Sequence, residues 1–232
     1  MRINKYLSTC GLCSRREADR LLAAGRVSIN GEPAATGAQV EEGMEVCVDG
    51  VPVRPLKEHS YVLLNKPVGV VCTADPREKN NVIDYLHWPV RLTYAGRLDR
   101  NSEGLLLLTD DGDLIDALMR GRFAHEKEYE VTLSRDLTEE ELERLRSGVE
   151  LGELGRTTRP CDIDRTGERR YRFVLTQGLN RQIRRMCAAV GVGVRRLKRL
   201  RIATLSLGTL RPGEHRELTA EELRLLRESC GL

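Results

Sequence analysis

The segment Gly96 to Arg100 places a carboxylate between two guanidinium groups, immediately before an apolar run. Arg97 precedes Asp99 by two residues and Arg100 follows it. Neighbouring positive charge favours the ionised form of a carboxyl group, and it would also attract a phosphate backbone towards that group. Residue types alone leave two interpretations open here, a reactive carboxylate that meets a polyanion or a surface Arg–Asp pair.

A second segment, Gly178 to Met186, predicts an anion site at the beginning of a helix. Asn180 is a good N-cap, and Arg181, Arg184 and Arg185 are spaced to share one helix face. Arginines at a helix N-terminus bind anions. Five more cations between residues 195 and 201 favour nucleic acid as the anion, although a solvated basic helix face has the same pattern.

Tyr129 ends a polar, charged stretch that begins at His125. The chain has only two Phe, one Trp and six Tyr, so an aromatic ring among charges is informative. Such a ring can stack on a nucleic-acid base, which contributes roughly 1–3 kcal/mol per base. The alternative is a tyrosine that packs at the start of a strand.

The N-terminal segment predicts a small helical module with a strand hairpin. We expect helices over residues 4–8 and 15–24, the second capped by Ser14 with Glu17 and stopped by Gly25. A strand at 27–30 ends in Asn30-Gly31, a hairpin signal, and two more strands are expected at 39–40 and 44–48. A polar segment with two prolines, residues 52–60, predicts a linker.

The remaining chain begins with an apolar strand at residues 61–64. Further strands are expected at 69–73, 104–109, 129–133, 170–175 and 202–207. Helices are expected at 112–120, 138–147, 180–190 and 219–227. Strands and helices do not alternate regularly, so we expect an α+β fold.

Composition excludes several classes of protein. The 232 residues are 31% charged and 40% apolar, as in a folded domain rather than a disordered or membrane protein. The N-terminus lacks the apolar core of a secretory signal, so we expect a cytoplasmic protein. The seven cysteines include one isolated CxxC, at Cys10 and Cys13, and no histidine lies near it, so we expect no metal site.

Charge is distributed unevenly along the chain. The formal net charge is +3, yet residues 165–201 contain twelve basic residues and a single acid. Residues 136–153 have the opposite balance, with seven acids and two arginines. Clustering of this kind predicts that particular faces of the protein bind a polyanion, for which nucleic acid is the first candidate.

The N-terminal module resembles an S4 RNA-binding domain over residues 2–48, and residues 61–228 resemble the catalytic domain of the RsuA-like ribosomal RNA pseudouridine synthases. The S4 resemblance is carried by Arg2 to Leu7, Cys13 to Asp19 and Val27 to Gly31. The catalytic resemblance is carried by Leu64 to Gly69, Gly96 to Asp99, Lys127 to Tyr129 and Gly178 to Met186. Within that family, the segments at 125–129 and 178–187 are most similar to the RluF branch, which modifies 23S rRNA.

The resemblance implies an S4 domain at residues 1–50, a linker at 51–60 and a catalytic domain at 61–232. The catalytic domain would be built on a mixed, largely antiparallel sheet with flanking helices. It would isomerise a uridine, breaking the C1′–N1 bond and rejoining the base through C5. The target base must first be flipped out of its helix. The reaction moves no electrons overall and needs no activated water, so we expect neither a cofactor nor a metal.

The resemblance also implies residue roles. Asp99 would be the catalytic aspartate, and Arg184 would pair with it and keep it ionised. Arg97 would hold the flipped nucleotide, Tyr129 would stack on the base, and Ile183 would pack beside them. Lys66 belongs to a motif thought to support the active site. Further RNA contacts are expected at Arg2, Lys5, Arg15, Arg16, Arg26, Arg181 and Arg185.

The expected partner is ribosomal RNA, with 23S rRNA as the first candidate and tRNA as a second possibility. We expect no membrane association and a monomeric protein. Two rival functions remain from the sequence. One is a non-catalytic S4-type RNA-binding or ribosome-assembly protein. The other is a glycosidic-bond hydrolase, which would normally use two cooperating carboxylates. Glu126 and Glu128 are the acids near the predicted site, and neither has an evident partnership with Asp99.

Overall fold

Two units, each with its own hydrophobic core, make up the chain. A computed structural model describes residues 1–56, 58–119 and 124–232. The first unit comprises residues 1–60, 88–93 and 109–112, and the second comprises residues 61–87, 94–108 and 113–232. Within the described ranges, no helix has both the length and the apolar content needed to cross a bilayer.

The first unit begins with two helices, α1 (Ile3–Thr9) and α2 (Arg15–Ala23), followed by a four-stranded sheet. The sheet strands are β1 (Val27–Ile29), β2 (Glu32–Pro33), β3 (Val46–Val48) and β4 (Val51–Val53), in the order β2-β1-β3-β4. One apolar cluster joins helices and sheet, and its members include Ile3, Leu7, Ala18, Leu22, Val27 and Val46. The unit therefore has a core despite its small size.

Local signals in the sequence account for this unit's turns. The Ser14 hydroxyl accepts a hydrogen bond from the Glu17 N–H at 3.1 Å, which confirms Ser14 as the N-cap of α2. Asn30 and Gly31 have φ of 52° and 86°, as a two-residue hairpin between β1 and β2 requires. Both features follow from residue type alone.

Two expectations for this unit differ from the structure. The strand expected at residues 39–40 is reduced to a single bridge between Gln39 and Arg2. The segment expected to be a linker begins instead with β4, which pairs with β3. Asp49 and Gly50, with φ of 52° and 78°, form the tight turn that returns the chain into the sheet.

The second unit is built on a nine-stranded sheet. Its main path runs β11-β12-β8-β13-β7-β5-β15, while β14 pairs with β13 and β6 pairs with β7. These strands are β5 (Tyr61–Lys66), β6 (Thr93–Ala95), β7 (Glu103–Thr109), β8 (Lys127–Leu133), β11 (Asp162–Gly167), β12 (Arg170–Leu175), β13 (Val194–Ile202), β14 (Leu205–Ser206) and β15 (His215–Glu217). A separate ribbon pairs β9 (Glu150–Leu151) with β10 (Arg156–Thr157).

Further helices lie between and after these strands along the chain. They are α3 (Val82–Leu86), α4 (Gly112–Met119), α5 (Glu139–Ser147), α6 (Gln182–Ala189) and α7 (Ala220–Ser229), with a 3-10 turn at Gly152–Leu154. β13 runs parallel to β7, whereas the β11–β12, β12–β8, β8–β13 and β5–β15 pairs are antiparallel. The predicted α+β fold with a mixed, largely antiparallel sheet is confirmed.

The apolar face of α6 packs on the centre of the sheet. Ile183 and Met186 of α6 share one buried cluster with Val131 of β8, Phe173 of β12 and Leu197 of β13. Burial of each such side chain contributes about 1.5–3 kcal/mol. Since α6 contains the second half of the motif at 178–186, its packing fixes that motif against β8.

Three expectations for the second unit need correction or fall outside the structure. Residues 69–73 do not form a strand; Val71 makes one bridge to Asn81. The strand expected at 202–207 is a turn at Ala203, with φ of 49°, between the end of β13 and β14. The five basic residues among positions 194–201 concealed β13 itself, because they are typical of a solvated surface segment. The helix end expected at Arg120 lies outside the described residues.

Candidate active site

A tight turn before β7 holds Asp99. The Ser102 N–H donates to the Asp99 carbonyl at 3.0 Å and closes the turn. The Leu98 side chain is buried, and its N–H donates to Cys72 Sγ at 3.4 Å. Backbone bonds on both sides thus anchor the turn, and the Asp99 carboxyl group stays partly open to solvent, with 29% of its side chain exposed.

The segment beginning at Lys66 braces this turn. Lys66 is fully buried, and its Nζ donates to the carbonyls of Pro67 at 2.8 Å and Val70 at 2.7 Å. The Gly69 N–H then donates to the carbonyl of Arg100 at 2.8 Å. Burial lowers the pKa of Lys66, while its carbonyl partners satisfy the ammonium group. Lys66 therefore folds a loop whose backbone supports the residue after Asp99.

The beginning of α6 differs from the sequence expectation. The N-cap is Arg181 rather than Asn180, and it has left-handed backbone angles of φ 52° and ψ 35°. The Gln182 N–H donates to the Leu179 carbonyl at 3.2 Å, and the Gln182 side chain accepts from the Leu179 N–H at 3.0 Å. Because this local turn delays the helix, Arg181 lies outside α6, which contains Arg184 and Arg185.

Two arginines approach the same oxygen of Asp99. Arg181 Nη1 lies 3.3 Å from Asp99 Oδ2, and Arg184 Nε lies 3.8 Å from it. Burial lowers the pKa of Arg184, the charge of Arg181 lowers it further, and Asp99 acts in the opposite direction. The pair predicted from the sequence, Asp99 with Arg184, is present, but Arg181 is the nearer cation.

These side chains line one small, open pocket with a cavity volume of about 70 Å³. The pocket brings together all five residues proposed for catalysis and nucleotide binding, which are Arg97, Asp99, Tyr129, Ile183 and Arg184. Arg97 is exposed at the pocket, whereas Ile183 is buried. A carboxylate, an aromatic ring and several cations thus face one shared space.

The sheet register places Tyr129 in this pocket. Tyr129 lies on β8 opposite Phe173 of β12 on one side and Arg199 of β13 on the other. Its ring is half-buried and packs against the cluster that includes Ile183. A ring held in this way is positioned before any ligand arrives.

Sequence reasoning missed several residues of the pocket. Ser102, Gln177 and Leu197 line it. Gln177 Oε1 accepts a hydrogen bond from the Arg159 N–H at 2.5 Å, which fixes its amide group. Its hydrogen-bond partner, Arg159, lies 18 residues away. The sequence therefore offered one signal that Gln177 belongs to the pocket, its position next to Gly178.

The other residues predicted to bind RNA lie in different settings. Arg2, Arg15 and Arg16 are exposed on the first unit, and Lys5 is half-buried there. Arg26 instead forms a two-point ion pair with Asp49, Nε to Oδ1 at 2.8 Å and Nη2 to Oδ2 at 2.5 Å.

Arg185 is also engaged within the protein. Its Nη1 pairs with Glu153, and its Nε donates to the Asn180 carbonyl at 3.1 Å. Acids of the same chain thus already balance the charges of Arg26 and Arg185. Among the residues described, no group of three or more His, Cys, Asp or Glu side chains could hold a metal ion.

Comparison with known proteins identifies the class of protein. Residues 60–189 match the family model for RNA pseudouridylate synthases, and residues 1–46 match the S4 domain. The dual-specificity RNA pseudouridine synthase RluF of Escherichia coli K12 is 44% identical over 96% of this chain and 77% of its own length. An uncharacterized RNA pseudouridine synthase of Aquifex aeolicus is 39% identical over 98% of this chain and 96% of its own.

Two further relatives support the same conclusion. The ribosomal small subunit pseudouridine synthase A of Yersinia pestis is 37% identical over 96% of this chain and 97% of its own. A crystal structure of a pseudouridylate synthase superposes with a TM-score of 0.73 at 30% identity, covering 97% of this chain and 99% of that one. The chain belongs to the RNA pseudouridine synthase family, enzymes that isomerise uridine in RNA, and it carries an S4 domain.

Proposed function

We propose that this enzyme converts one specific uridine of ribosomal RNA, in 23S rRNA, to pseudouridine, with Asp99 as the catalytic residue. The observation that carries the proposal is the shared pocket of the Asp99 carboxylate, the Tyr129 ring and the arginines. The name of the Yersinia relative supports ribosomal RNA as the substrate class. The motifs at 125–129 and 178–187, similar to the RluF branch, favour 23S.

The residues of the pocket suit the steps of this reaction. A target uridine must leave its helix, which costs a few kcal/mol of stacking. Stacking on Tyr129 offsets part of that cost, and Arg97 at the open side of the pocket holds the flipped nucleotide. Arg181 and Arg184 place positive charge 3.3 Å and 3.8 Å from the Asp99 carboxyl oxygen.

Asp99 then acts on the sugar in one of two ways. Its carboxylate attacks C1′ of the ribose to form a covalent intermediate and is later displaced by C5 of the uracil. Alternatively, it abstracts a sugar proton to give a glycal and returns that proton to the sugar when C5 adds. In both routes the C1′–N1 bond breaks, the uracil turns within the pocket, and a C1′–C5 bond forms. The proton that leaves C5 passes through the Tyr129 hydroxyl, and N1 gains a proton. No external oxidant or reductant enters this balance.

The domain organisation, location and RNA contacts follow from the same assignment. We propose an N-terminal RNA-binding domain and a catalytic domain. Because residues 51–53 form β4, the connecting segment begins at residue 54 rather than at residue 51. The enzyme acts in the cytoplasm as a monomer. Arg2, Lys5, Arg15 and Arg16 contact phosphates, while Arg26 and Arg185 contribute less because their own acids hold them.

The proposal is tested by product analysis on defined RNA. Purified enzyme is incubated with 23S and 16S transcripts, and pseudouridine is mapped by carbodiimide labelling and reverse transcription. We expect one strong site in 23S and none in 16S. Release of free uracil would identify a hydrolase, and unchanged RNA would favour the non-catalytic RNA-binding protein.

Charge reversal at Arg15 and Arg16 should weaken RNA binding without impairing the chemistry. Both side chains are exposed in the first turn of α2, where cations oppose the helix dipole. Glutamates there should stabilise the helix slightly, so a loss of affinity cannot come from unfolding. The slope of log K against log salt should become shallower by about 0.7 for each phosphate that the variant no longer neutralises. Filter binding at several salt concentrations measures this slope.

Arg144→Glu is the control for this experiment, because Arg144 is exposed on α5 among the acids of residues 136–153. It should bind RNA as the wild type does. The rate of the double variant on saturating RNA should equal that of the wild type. Unchanged affinity and an unchanged salt slope in the double variant would show that these arginines do not bind RNA.

A further inference from the structure

The two arginines beside Asp99 are held in different ways. The Arg184 side chain is 14% exposed. Its Nη1 donates to the Val194 carbonyl at 3.0 Å, and its Nη2 donates to the Asn101 carbonyl at 2.9 Å. Acceptors on β13 and on the Asp99 turn therefore fix the guanidinium group from two sides. Arg184 is a rigid part of the pocket.

One donor of Arg184 nevertheless has no acceptor. Its Nε is buried without a hydrogen-bond partner, and Asp99 Oδ2 lies 3.8 Å away, beyond hydrogen-bond distance. A buried N–H without an acceptor is destabilising. A shift of the Asp99 carboxylate by less than 1 Å would satisfy it. Asp99 thus lies just short of hydrogen-bond distance from its fixed partner, Arg184.

Arg181 forms an ion pair with Asp99 instead, and this contact is weaker than the bonds that hold Arg184. Its side chain is 45% exposed, and its hydrogen bond to Asp99 Oδ2 is 3.3 Å long. Exposed ion pairs of this kind contribute little to stability. Arg181 precedes α6 in a left-handed conformation, so its side chain can move without disturbing the helix. A phosphate offers the same guanidinium group a stronger, two-point partner.

We propose that Arg181 is a displaceable counter-ion of Asp99. It holds the carboxylate in the free enzyme and transfers to an RNA phosphate next to the flipped uridine when the strand enters. Asp99 then closes onto the Nε of Arg184 in the position used for catalysis. Binding of the correct strand is thereby coupled to the final placement of the carboxylate. Arg181 is a positioning residue in this scheme, which rests on the proposed function.

The test combines a protein variant with neutral phosphates in the RNA. A synthetic hairpin carries the uridine that the wild type modifies in 23S rRNA, and each flanking phosphate in turn is replaced by a methylphosphonate. Single-turnover rates are measured at saturating and subsaturating enzyme for wild type, Arg181→Gln, Arg181→Lys and the control Arg144→Gln. Arg144 is exposed on α5, outside the pocket.

For the wild type, we expect one methylphosphonate to raise the half-saturating concentration about tenfold, as for one charge-assisted hydrogen bond. Arg181→Gln should show the same increase with natural RNA, and that methylphosphonate should then add less than about twofold. Its salt slope should be shallower by about 0.7, and its saturating rate should fall less than about threefold. Arg181→Lys should recover part of the affinity, and Arg144→Gln should match the wild type.

Fully additive effects of Arg181→Gln and every methylphosphonate would overturn the proposal, since Arg181 would then make no phosphate contact. A saturating rate reduced as strongly as the affinity would also overturn it, because Asp99 would then need Arg181 rather than Arg184 during catalysis. If the wild type itself forms no pseudouridine in ribosomal RNA, the proposed function fails first, and this inference falls with it. The wild-type arm alone distinguishes the two failures.

Discussion

Asp99→Asn is expected to fold, bind RNA at least as tightly as the wild type and form no measurable pseudouridine. An amide of the same shape can fill the place of the carboxyl group beside Arg181 and Arg184, but it cannot attack the sugar or take a proton from it. We expect the single-turnover rate to fall by at least about a thousandfold. Rates on the 23S site and filter-binding affinities, measured with the same preparation, test this.

Asp164→Asn is the matched control for that variant. Asp164 lies on β11, pairs with Arg172 at 3.4 Å and is not part of the pocket. It should react at the wild-type rate. Both variants should melt within about 4 °C of the wild type, because partly exposed ion pairs contribute at most about 1 kcal/mol. An Asp99→Asn variant that retained a tenth of the wild-type rate would exclude Asp99 as the catalytic residue.

The second large effect is expected in stability, from Gly104→Ala. Gly104 has φ of +108°, and an added Cβ would lie 2.2 Å from the Arg199 carbonyl oxygen and 2.5 Å from the Arg199 nitrogen. These are backbone atoms of β13, which pairs with Gly104 in parallel register, so neither strand can move freely. We expect a loss of about 3 kcal/mol or more in the free energy of unfolding.

Thermal and denaturant unfolding measure this loss, and Tm should fall by about 6–12 °C at roughly 2–4 °C per kcal/mol. Gly112→Ala is the control, since Gly112 begins α4 with no atom within 4 Å of the added Cβ. Alanine there should be neutral or stabilising by up to about 1 kcal/mol. Equal losses of stability in the two variants would show that the close approach of β7 to β13 does not depend on a glycine at position 104.

The sequence correctly predicted the features that depend on neighbouring residues, such as helix caps, tight turns and apolar strands. Ser14 with Glu17 began α2, and Asn30-Gly31 closed a hairpin. The apolar run at 104–109 became β7, in which every side chain is buried. The pocket residues that the resemblance implied, from Asp99 to Arg184, do meet in one place.

Long-range contacts account for what sequence reasoning missed. β13 has the sequence of a basic surface segment, and only its pairing with β7 and β8 makes it a strand. Lys66 has the residue type of a surface cation, yet the loop that it folds buries it completely. Arg181 and Asp99 are 82 positions apart in the sequence but in contact in the structure. Their contact depends on the turn before α6, which a hydrogen bond to the Gln182 side chain stabilises. Spacing within a motif carries no information about such contacts.

Pseudouridine mapping on 23S and 16S rRNA is the sharpest test of the proposed activity, with RNA taken from cells that lack this protein and are complemented with wild type or Asp99→Asn. We expect a single 23S site to disappear in the deletion strain and the wild type alone to restore it. Persistence of every ribosomal site in the deletion strain, or restoration by Asp99→Asn, would contradict the assignment of Asp99 and of its substrate.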